Sequence, residues 1–352
     1  MKLDLYYIAV FTCIIYLSLF SACSIAPSNN APDVSGIQLD GFSFTRFDRE
    51  VASLDTNNIQ SSYEEMMKRQ PYITELYFEK LLSFPSDNED SLYHYISQFL
   101  QAESIARLND TIGHLFEGTA EIENDLQKGC QYLKYYFPEY QTPHFYTFQT
   151  EFGYQVVIFS DGERDGIGLG LDYFLGEDFD YKLIDPRNPV FSDYMIRTYN
   201  RDHIVKRAFD VIVEDLVGDP PGKRFIDLMI HEGKKMYLLD QLLPHLSDTV
   251  ISGFSEDQLK WLNQNELEMW SFFIDKEMIY NTNLNNNMKY LSPAPNSQGM
   301  PPQAPGRTAC YMGWQIVDAF MRRQQDFKLP DLLNYMDSQK LMELSRYKPP
   351  RR

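Results

Sequence analysis

His231, Glu232 and Lys235 are the residues whose types and spacing come nearest to a catalytic metal site. In zinc proteases with an HExxH motif, two histidines four residues apart bind the metal, and the glutamate between them activates a water molecule. Lys235 stands where the second histidine would be, and a protonated ammonium has no lone pair to offer a metal. The sequence therefore predicts a zincin-like helix with a degenerate motif and without bound zinc.

Two interpretations of His231 and Glu232 remain open from the sequence. In the first, His231 pairs with Asp227 one turn earlier, and Glu232 is a buried carboxylate with a basic or amide partner, because an unpaired buried carboxylate is costly. In the second, His231 and Glu232 are the candidate catalytic pair of a metal-dependent hydrolase, and Glu266 or Glu268 supplies a further ligand from the following helix. Glu266 and Glu268 are equally explained as solvated helix charges.

These residues lie in a segment, residues 222–243, whose apolar spacing predicts a long helix. Steps of four and three place one stripe of side chains on the core face: Phe225, Met229, Glu232, Met236, Leu239 and Leu243. Glu232 is thus predicted to face the core, and Lys234 to lie on the polar side with Asp227 and Gln241. A glycine inside a helix costs about 1 kcal/mol relative to alanine, so Gly233 predicts that another element crosses closely there.

The stretch from Asp161 to Asp172 has the spacing of a calcium-binding EF-hand loop, with acidic residues at positions 1, 3, 5 and 12 and a glycine at position 6. An EF-hand needs a helix on each side, whereas the alternation around this loop indicates strands. The sequence therefore favours a β-hairpin turn with acidic residues at its tip over a calcium site.

Asp172, at the end of the last predicted strand, is the residue of the sheet that we expect to lie near the helix. Gly168, Gly170 and Asp172 share one face of the last strand, which leaves this face open to close backbone approach. In a zincin-like fold, the strand beside the metal helix borders the cleft. This predicts Asp172 near Glu232, as an acidic groove floor or in a salt bridge to Lys235. The predicted binding residues are therefore Asp172, Glu232 and Lys235, and a buried ionic cluster of the three would hold the helix to the sheet.

The N-terminus carries the pattern of a bacterial lipoprotein signal. An uncharged apolar run from Leu5 to Phe20 ends in Ser21-Ala22 directly before Cys23. The run is shorter than the roughly 20 residues that a spanning helix needs. We therefore expect a signal peptide over residues 1–22, a lipid on Cys23 and a tether over 23–40. The protein would lie in the cell envelope, facing the periplasm or the cell exterior; an uncleaved membrane anchor is the alternative.

Charge and cysteine content narrow the possible partners and chemistry. A formal net charge of −18 argues against nucleic acid and anionic membrane surfaces as partners. Cys130 and Cys310, both at apolar helical positions, either pair in an oxidising compartment or remain buried free thiols. The sequence contains no Walker phosphate loop, no Gly-x-Ser-x-Gly elbow and no Cys-x-x-Cys pair.

The spacing of apolar residues predicts one mostly helical α+β domain over residues 41–350. A period near 3.6 indicates helices over 41–140 and again over 200–346, the second set interrupted by an Asn- and Pro-rich loop at 281–306. A period of two over 143–175 indicates a small antiparallel sheet of three strands, packed against the central helix.

Four separated motifs stand out along the chain. They are Tyr135–Tyr140 (YYFPEY), Leu169–Gly176 (LGLDYFLG), Glu232–Tyr237 (EGKKMY), and Pro305-Gly306-Arg307 leading to Gly313–Val317 (GWQIV). In order and spacing they are similar to motifs of the GldB family of gliding-motility lipoproteins, over nearly the whole chain after Cys23. That family keeps a glycine and a lysine after the helix glutamate, so Lys235 agrees with the resemblance.

The resemblance implies an envelope lipoprotein that works beside the gliding and type IX secretion apparatus, on a zincin-like scaffold. Together with the degenerate motif, it favours a non-catalytic protein, a pseudoenzyme, that binds a protein or peptide in a relic protease cleft. Its partners would be protein components of that apparatus, and the lipid on Cys23 would hold it to the membrane. The alternative function is a metal-dependent hydrolase that uses His231 and Glu232.

Overall fold

Helices dominate the computed structural model, which describes residues 31–86 and 88–350. The helices are α1 (Phe47–Ala52), α2 (Ile59–Arg69), α3 (Pro71–Glu75), α4 (Glu89–Gln101), α5 (Glu103–Leu115), α6 (Ala120–Tyr136), α7 (Asp193–Ile196), α8 (Ile204–Val217), α9 (Phe225–Leu242), α10 (Asp248–Ser252), α11 (Glu256–Gln264), α12 (Glu266–Asp275), α13 (Leu284–Leu291), α14 (Thr308–Arg323), α15 (Leu329–Asn334) and α16 (Ser338–Ser345). The strands are β1 (Ser43–Thr45), β2 (His144–Phe148), β3 (Val156–Asp161) and β4 (Arg164–Gly170). The predicted class, mostly helical with one small sheet, is confirmed.

The predicted signal peptide, Cys23 and the first part of the tether, up to residue 30, lie outside the described residues. Residues 31–40 of the predicted tether form turns and irregular structure. Within the two described ranges, no helix is long and apolar enough to cross a membrane.

The sheet is mixed and has the strand order β1-β2-β4-β3. Strand β2 pairs in parallel with β1 and with β4, and the β3–β4 hairpin is antiparallel. The expectation of three antiparallel strands is therefore wrong. Strand β1 has only three residues, all half-buried, which is too short an alternation to be recognised from sequence. Alternation also indicates which face of a strand is buried, but not in which direction its neighbours run.

One face of β4 has glycine at three alternate positions, Gly166, Gly168 and Gly170. Aromatic rings from the neighbouring strands fill this space. A Cβ atom on Gly166 would collide with the ring of Phe159, and one on Gly168 would collide with the ring of Phe148. Side chains of the sheet itself thus approach Gly166 and Gly168, whereas a Cβ atom on Gly170 would collide with the backbone carbonyl oxygen of Tyr154. The predicted backbone approach is therefore confirmed at Gly170 and is wrong at Gly166 and Gly168.

Helix α9 is buried on most of its surface and packs mainly against α14. At their crossing, a Cβ atom on Gly233 would collide with the backbone of Gly313, and one on Gly313 would collide with the carbonyl oxygen of Met229. The prediction that another element crosses at Gly233 is confirmed. Helix α8 packs against α9 and also contacts β3 and β4. The sheet is predicted to pack on the central helix α9, but α8 lies between them and contacts both.

Residues 281–306, predicted to be a long loop, contain helix α13. Asn283 caps this helix by accepting a hydrogen bond from a backbone N–H of the first turn. Asn287 is buried and donates to the carbonyl oxygens of Lys223 (3.3 Å) and Asn281 (2.9 Å). Asn-rich sequence predicts turns from local preference, but here its amide groups cap a helix and attach it to the segment before α9.

Cys130 in α6 and Cys310 in α14 are buried free thiols. Of the two alternatives that the sequence leaves open, this is the one that the structure shows. Burial raises the pKa of both thiols, that of Cys310 to about 12. Neither is therefore activated as a nucleophile at neutral pH.

Candidate functional site

A cavity of about 290 Å³ lies between α8, α9, the chain that follows α10 and the start of α14. Its charged lining residues are Arg197, Lys206, Arg207, Asp210, Glu214, Glu232, Lys235 and Arg307. Five cations against three carboxylates give the cavity a formal charge of +2, in a chain whose net charge is −18. A concave site with apolar walls and converging charged groups is where proteins usually bind ligands.

Lys235 joins two carboxylates on the α9 side of the cavity. Its Nζ lies 3.0 Å from an oxygen of Glu232 in α9 and 2.7 Å from an oxygen of Glu214 in α8. Side-chain exposure is 16% for Lys235, 30% for Glu232 and 64% for Glu214, so water reaches this cluster. Burial lowers the pKa of Lys235, but the charges and hydrogen bonds of Glu232 and Glu214 outweigh it, and the pKa is raised. The ammonium thus stays protonated and has no lone pair for a metal.

The pair of Glu232 with Lys235 is present, but the predicted burial of Glu232 in the core is wrong. Neighbouring helices cover most of α9, so the apolar stripe does not single out one buried face. The part of the stripe that carries Glu232, Met236 and Leu239 borders the cavity. Glu232 is therefore accessible to a ligand.

Asp172 is fully buried in a 3₁₀ turn, Leu171–Phe174, that follows β4. One of its carboxylate oxygens accepts hydrogen bonds from the backbone N–H groups of Thr150 (3.0 Å) and Phe152 (2.6 Å). Burial raises its pKa to about 6, although these hydrogen bonds oppose the shift. Asp172 does not line the cavity, so the predicted groove floor and the predicted salt bridge to Lys235 are wrong. The chain turns before this residue instead of continuing as a strand.

His231 lies outside the cavity lining. Its predicted pairing with Asp227 is wrong, because Asp227 binds Arg224, with 2.7 Å between Asp227 Oδ1 and Arg224 Nη2, at the start of α9. Burial and the charge of Lys235 lower the pKa of His231, so the neutral imidazole dominates at neutral pH.

The two candidate ligands of the following helix are also apart from the cavity. Glu266 is buried in α12 and accepts hydrogen bonds from the hydroxyl groups of Tyr311 (3.4 Å) and Tyr347. Glu268, on the same helix, is exposed. Within residues 31–86 and 88–350, no three His, Cys, Asp or Glu side chains gather as a potential metal site.

The Asp161–Asp172 stretch begins with a tight hairpin turn, in which Asp161 at the end of β3 pairs with Arg164 at the start of β4. Asp161 Oδ2 is bound by the Nδ1 atom of His144 and by the hydroxyl group of Tyr146, both at 2.7 Å. The hairpin that the sequence favours over an EF-hand loop is confirmed.

Lys234, predicted on the polar side of α9, is buried and only 4% exposed. Its Nζ donates a hydrogen bond to the carbonyl oxygen of Tyr335 (2.8 Å), directly after α15. Burial lowers its pKa to about 8. The predicted polar position is wrong, because a position around a helix indicates exposure only if no other segment covers that side.

Four cations of the cavity lining lie close enough to act on one another electrostatically and are here called the basic end: Arg197, Lys206, Arg207 and Arg307. The sequence motifs do not reveal it, since its residues come from three separate segments. Only Arg307 falls within one of the motifs quoted above, Pro305-Gly306-Arg307, where it takes the left-handed conformation with φ of 63° just before α14. A cation at the start of a long helix is a signal that could have indicated an anion site.

The comparison with protein families gives one model, described as gliding motility protein GldB, which matches residues 27–349. All the motifs quoted above lie within the matched residues. No curated protein and no solved structure matches the chain, so the zincin-like scaffold stays a prediction. The chain belongs to the GldB family of gliding-motility lipoproteins, which indicates a role in gliding motility and an association with the cell envelope.

Proposed function

We propose that the protein is a non-catalytic envelope lipoprotein that binds a segment of a partner protein in the cavity beside α9. Its family supports a role in gliding motility. The partner would be another component of the gliding apparatus or of the associated type IX secretion machinery. The lipid on Cys23 would keep the cavity close to the membrane in which that apparatus is anchored.

The contact of Lys235 with Glu232 and Glu214 is the observation that carries this proposal. In a hydrolase of the HExxH type, the glutamate must be free to take a proton from a metal-bound water. Here the carboxylate of Glu232 accepts a charge-assisted hydrogen bond from an ammonium that stands in place of the second ligand. The cavity lining instead offers fixed charges of both signs, which suit recognition of a polar segment.

Blocking the mouth of the cavity tests the proposal. Pro293 lines the cavity and is exposed, so Pro293→Trp should obstruct entry without disturbing the core. Pro302 is exposed in the same segment and does not line the cavity, so Pro302→Trp is the matched control. In a gliding bacterium that lacks its own copy, we expect colony spreading to be lost with Pro293→Trp and restored with Pro302→Trp. Normal spreading with Pro293→Trp, at normal protein level, would exclude use of this cavity.

The hydrolase alternative has its own test in the metal content of the purified protein. One zinc per chain, lost in His231→Ala, together with loss of spreading in the same variant, would replace the binding proposal by a metal-dependent hydrolase. We expect substoichiometric zinc, and we expect His231→Ala to support spreading, since His231 lies outside the cavity lining.

A further inference from the structure

The basic end of the cavity holds more positive charge than its own carboxylate can balance. Lys206 Nζ lies 2.8 Å from Asp210 Oδ2, and Arg207 Nη1 lies 3.3 Å from the same oxygen. Arg197 and Arg307 line the same end of the cavity. Four cations thus share one carboxylate, which leaves this end with a formal charge of +3.

The cations of the basic end act on one another electrostatically. Burial and the charge of Arg307 lower the pKa of Arg197. Burial, with the charges of Arg207 and Arg307 adding to it, brings the pKa of Lys206 to about 8. Burial and the same group of cations bring the pKa of neighbouring His203 to about 4, so His203 adds no charge at neutral pH. An anion placed among these groups would relieve their mutual repulsion.

The guanidinium groups are held in place and keep donors available. Arg197 Nη2 donates to the carbonyl oxygen of Gly253 (2.5 Å), and Arg307 Nη1 donates to that of Ser252 (2.8 Å). The Nε atoms of Arg197 and Arg207 are buried and have no hydrogen-bond partner in the part of the chain that the structure describes. A guanidinium group has five N–H donors, so fixing the backbone at two carbonyl oxygens uses only part of them.

The start of α14 adds further positive charge to the basic end. Gly306 and Arg307 line the cavity immediately before this helix of 16 residues, whose N-terminus carries a partial positive charge and free N–H groups. The cavity volume of about 290 Å³ is several times the volume of one water molecule, about 30 Å³. It accommodates a group of about the size of one amino acid residue, such as the end or one side chain of a longer partner segment, or a phosphate ester.

We propose that the basic end binds an oxyanion group, the carboxylate or the phosphate of the molecule that enters the cavity. Guanidinium groups bind both kinds of oxyanion through paired, charge-assisted hydrogen bonds. In one respect this rests on the proposed function, because a carboxylate would belong to the end or a side chain of the partner segment. A phosphate would instead belong to a small soluble ligand.

Titration calorimetry of the full-length protein in detergent tests the inference, with inorganic phosphate and with succinate as the two probes. Ionic strength is held constant with chloride, because general screening acts on all exposed charges. We expect saturable binding of at least one probe. Tighter binding of succinate would identify a carboxylate ligand, and tighter binding of phosphate would identify a phosphate ligand. The absence of saturable binding with both probes would overturn the inference.

Three variants assign the binding to the basic end. Arg207→Gln should weaken binding by about tenfold or more, since it removes one charge-assisted contact. Arg197→Gln should do the same, but it also removes the contact with Gly253, so Arg207→Gln is the variant that keeps the backbone anchors. Arg187 is exposed and lies outside the cavity lining, so Arg187→Gln is the charge-matched control and should bind as the wild type does. Equal binding by Arg207→Gln and Arg187→Gln would place the anion elsewhere and refute the inference.

The two proposals fail separately. If neither probe binds while Pro293→Trp abolishes colony spreading, the oxyanion inference is wrong and the proposed function stands. If a probe binds at the basic end while Pro293→Trp spreads normally, the oxyanion site exists and the proposed function is wrong.

Discussion

Lys234 and Lys235 are neighbours in the chain but have opposite environments on α9. Lys234 is buried against the segment after α15, contacts a carbonyl oxygen, and has a pKa lowered to about 8. Lys235 borders the cavity, binds Glu232 and Glu214, and has a raised pKa. Successive residues point about 100° apart around a helix. That single step separates a packed side of α9, which maintains the fold, from a cavity side, which is available for binding.

The largest effect is expected at the crossing of α9 and α14, on the packed side. A methyl group on Gly313 would collide with the carbonyl oxygen of Met229, which cannot move without shifting α9. We expect Gly313→Ala to destabilise the protein by about 3 kcal/mol or more, as overpacking of a rigid contact does. Urea unfolding measures this.

Gly113 provides the control for that substitution. It lies in α5 with no atom within 4 Å of an added Cβ, so Gly113→Ala should be neutral or stabilise the protein by up to about 1 kcal/mol. Equal unfolding midpoints for the two variants would mean that the helices do not cross at Gly313.

The two lysines should differ in how they make stability depend on pH. The pKa of Lys234 is about 8 in the folded protein and 10.5 when unperturbed, so between these values the unfolded chain binds more protons and stability rises with pH. From pH 7.5 to 9.5, the wild type should gain about 2 kcal/mol relative to Lys234→Met. The pKa of Lys235 is raised, so this lysine stays protonated over this range in the folded protein and largely so in the unfolded chain. The stability difference between Lys235→Met and the wild type should therefore change little from pH 7.5 to 9.5.

Urea unfolding at both pH values checks this difference. Other groups that titrate in this range, such as Lys206, are present in all three proteins and cancel in the comparison. A constant difference between wild type and Lys234→Met would show that the ammonium of Lys234 is solvated.

The ion pairs of Lys235 should contribute little to stability. With Glu232 30% exposed and Glu214 64% exposed, solvent screens both pairs. We expect Lys235→Met to cost about 1 kcal/mol or less, and its coupling to Glu232→Gln in a double-mutant cycle to be about 0.5 kcal/mol. A loss of about 3–5 kcal/mol would instead indicate the fully buried ionic cluster that the sequence predicts.

Asp172 should show no coupling to Lys235. Its carboxylate binds the backbone N–H groups of Thr150 and Phe152, so Asp172→Asn and Lys235→Met should be additive within about 0.5 kcal/mol in urea unfolding. Coupling above about 1 kcal/mol would restore the predicted salt bridge between the two residues.

Local sequence patterns predict the features that depend on one helix. The i,i+3 spacing of Glu232 and Lys235 predicts their pair, and Gly233 inside an apolar helix predicts the crossing with α14, because both depend on α9 itself. The exposure of Lys234 could not be predicted in this way, since the segment at Tyr335 that covers it comes from far along the chain.

The basic end shows the same limit for the site. Arg197 and Arg207 are unremarkable where they stand in the sequence, and Arg307 is distinguished only by its place before α14. Only the tertiary fold brings the three to one cavity. Strand β1 and its parallel partner β2 are similarly far apart in the chain, and short strands carry too little alternation to indicate their pairing.

Colony spreading of a gliding strain that carries Lys235→Met in place of its own copy tests most directly whether the cavity side of α9 serves function rather than stability. Lys260 is exposed and outside the cavity lining, so Lys260→Met is the matched control. We predict that Lys235→Met abolishes spreading, although it folds and reaches the envelope at the level of Lys260→Met. Spreading equal to that of Lys260→Met would contradict a functional role for the cavity side of α9.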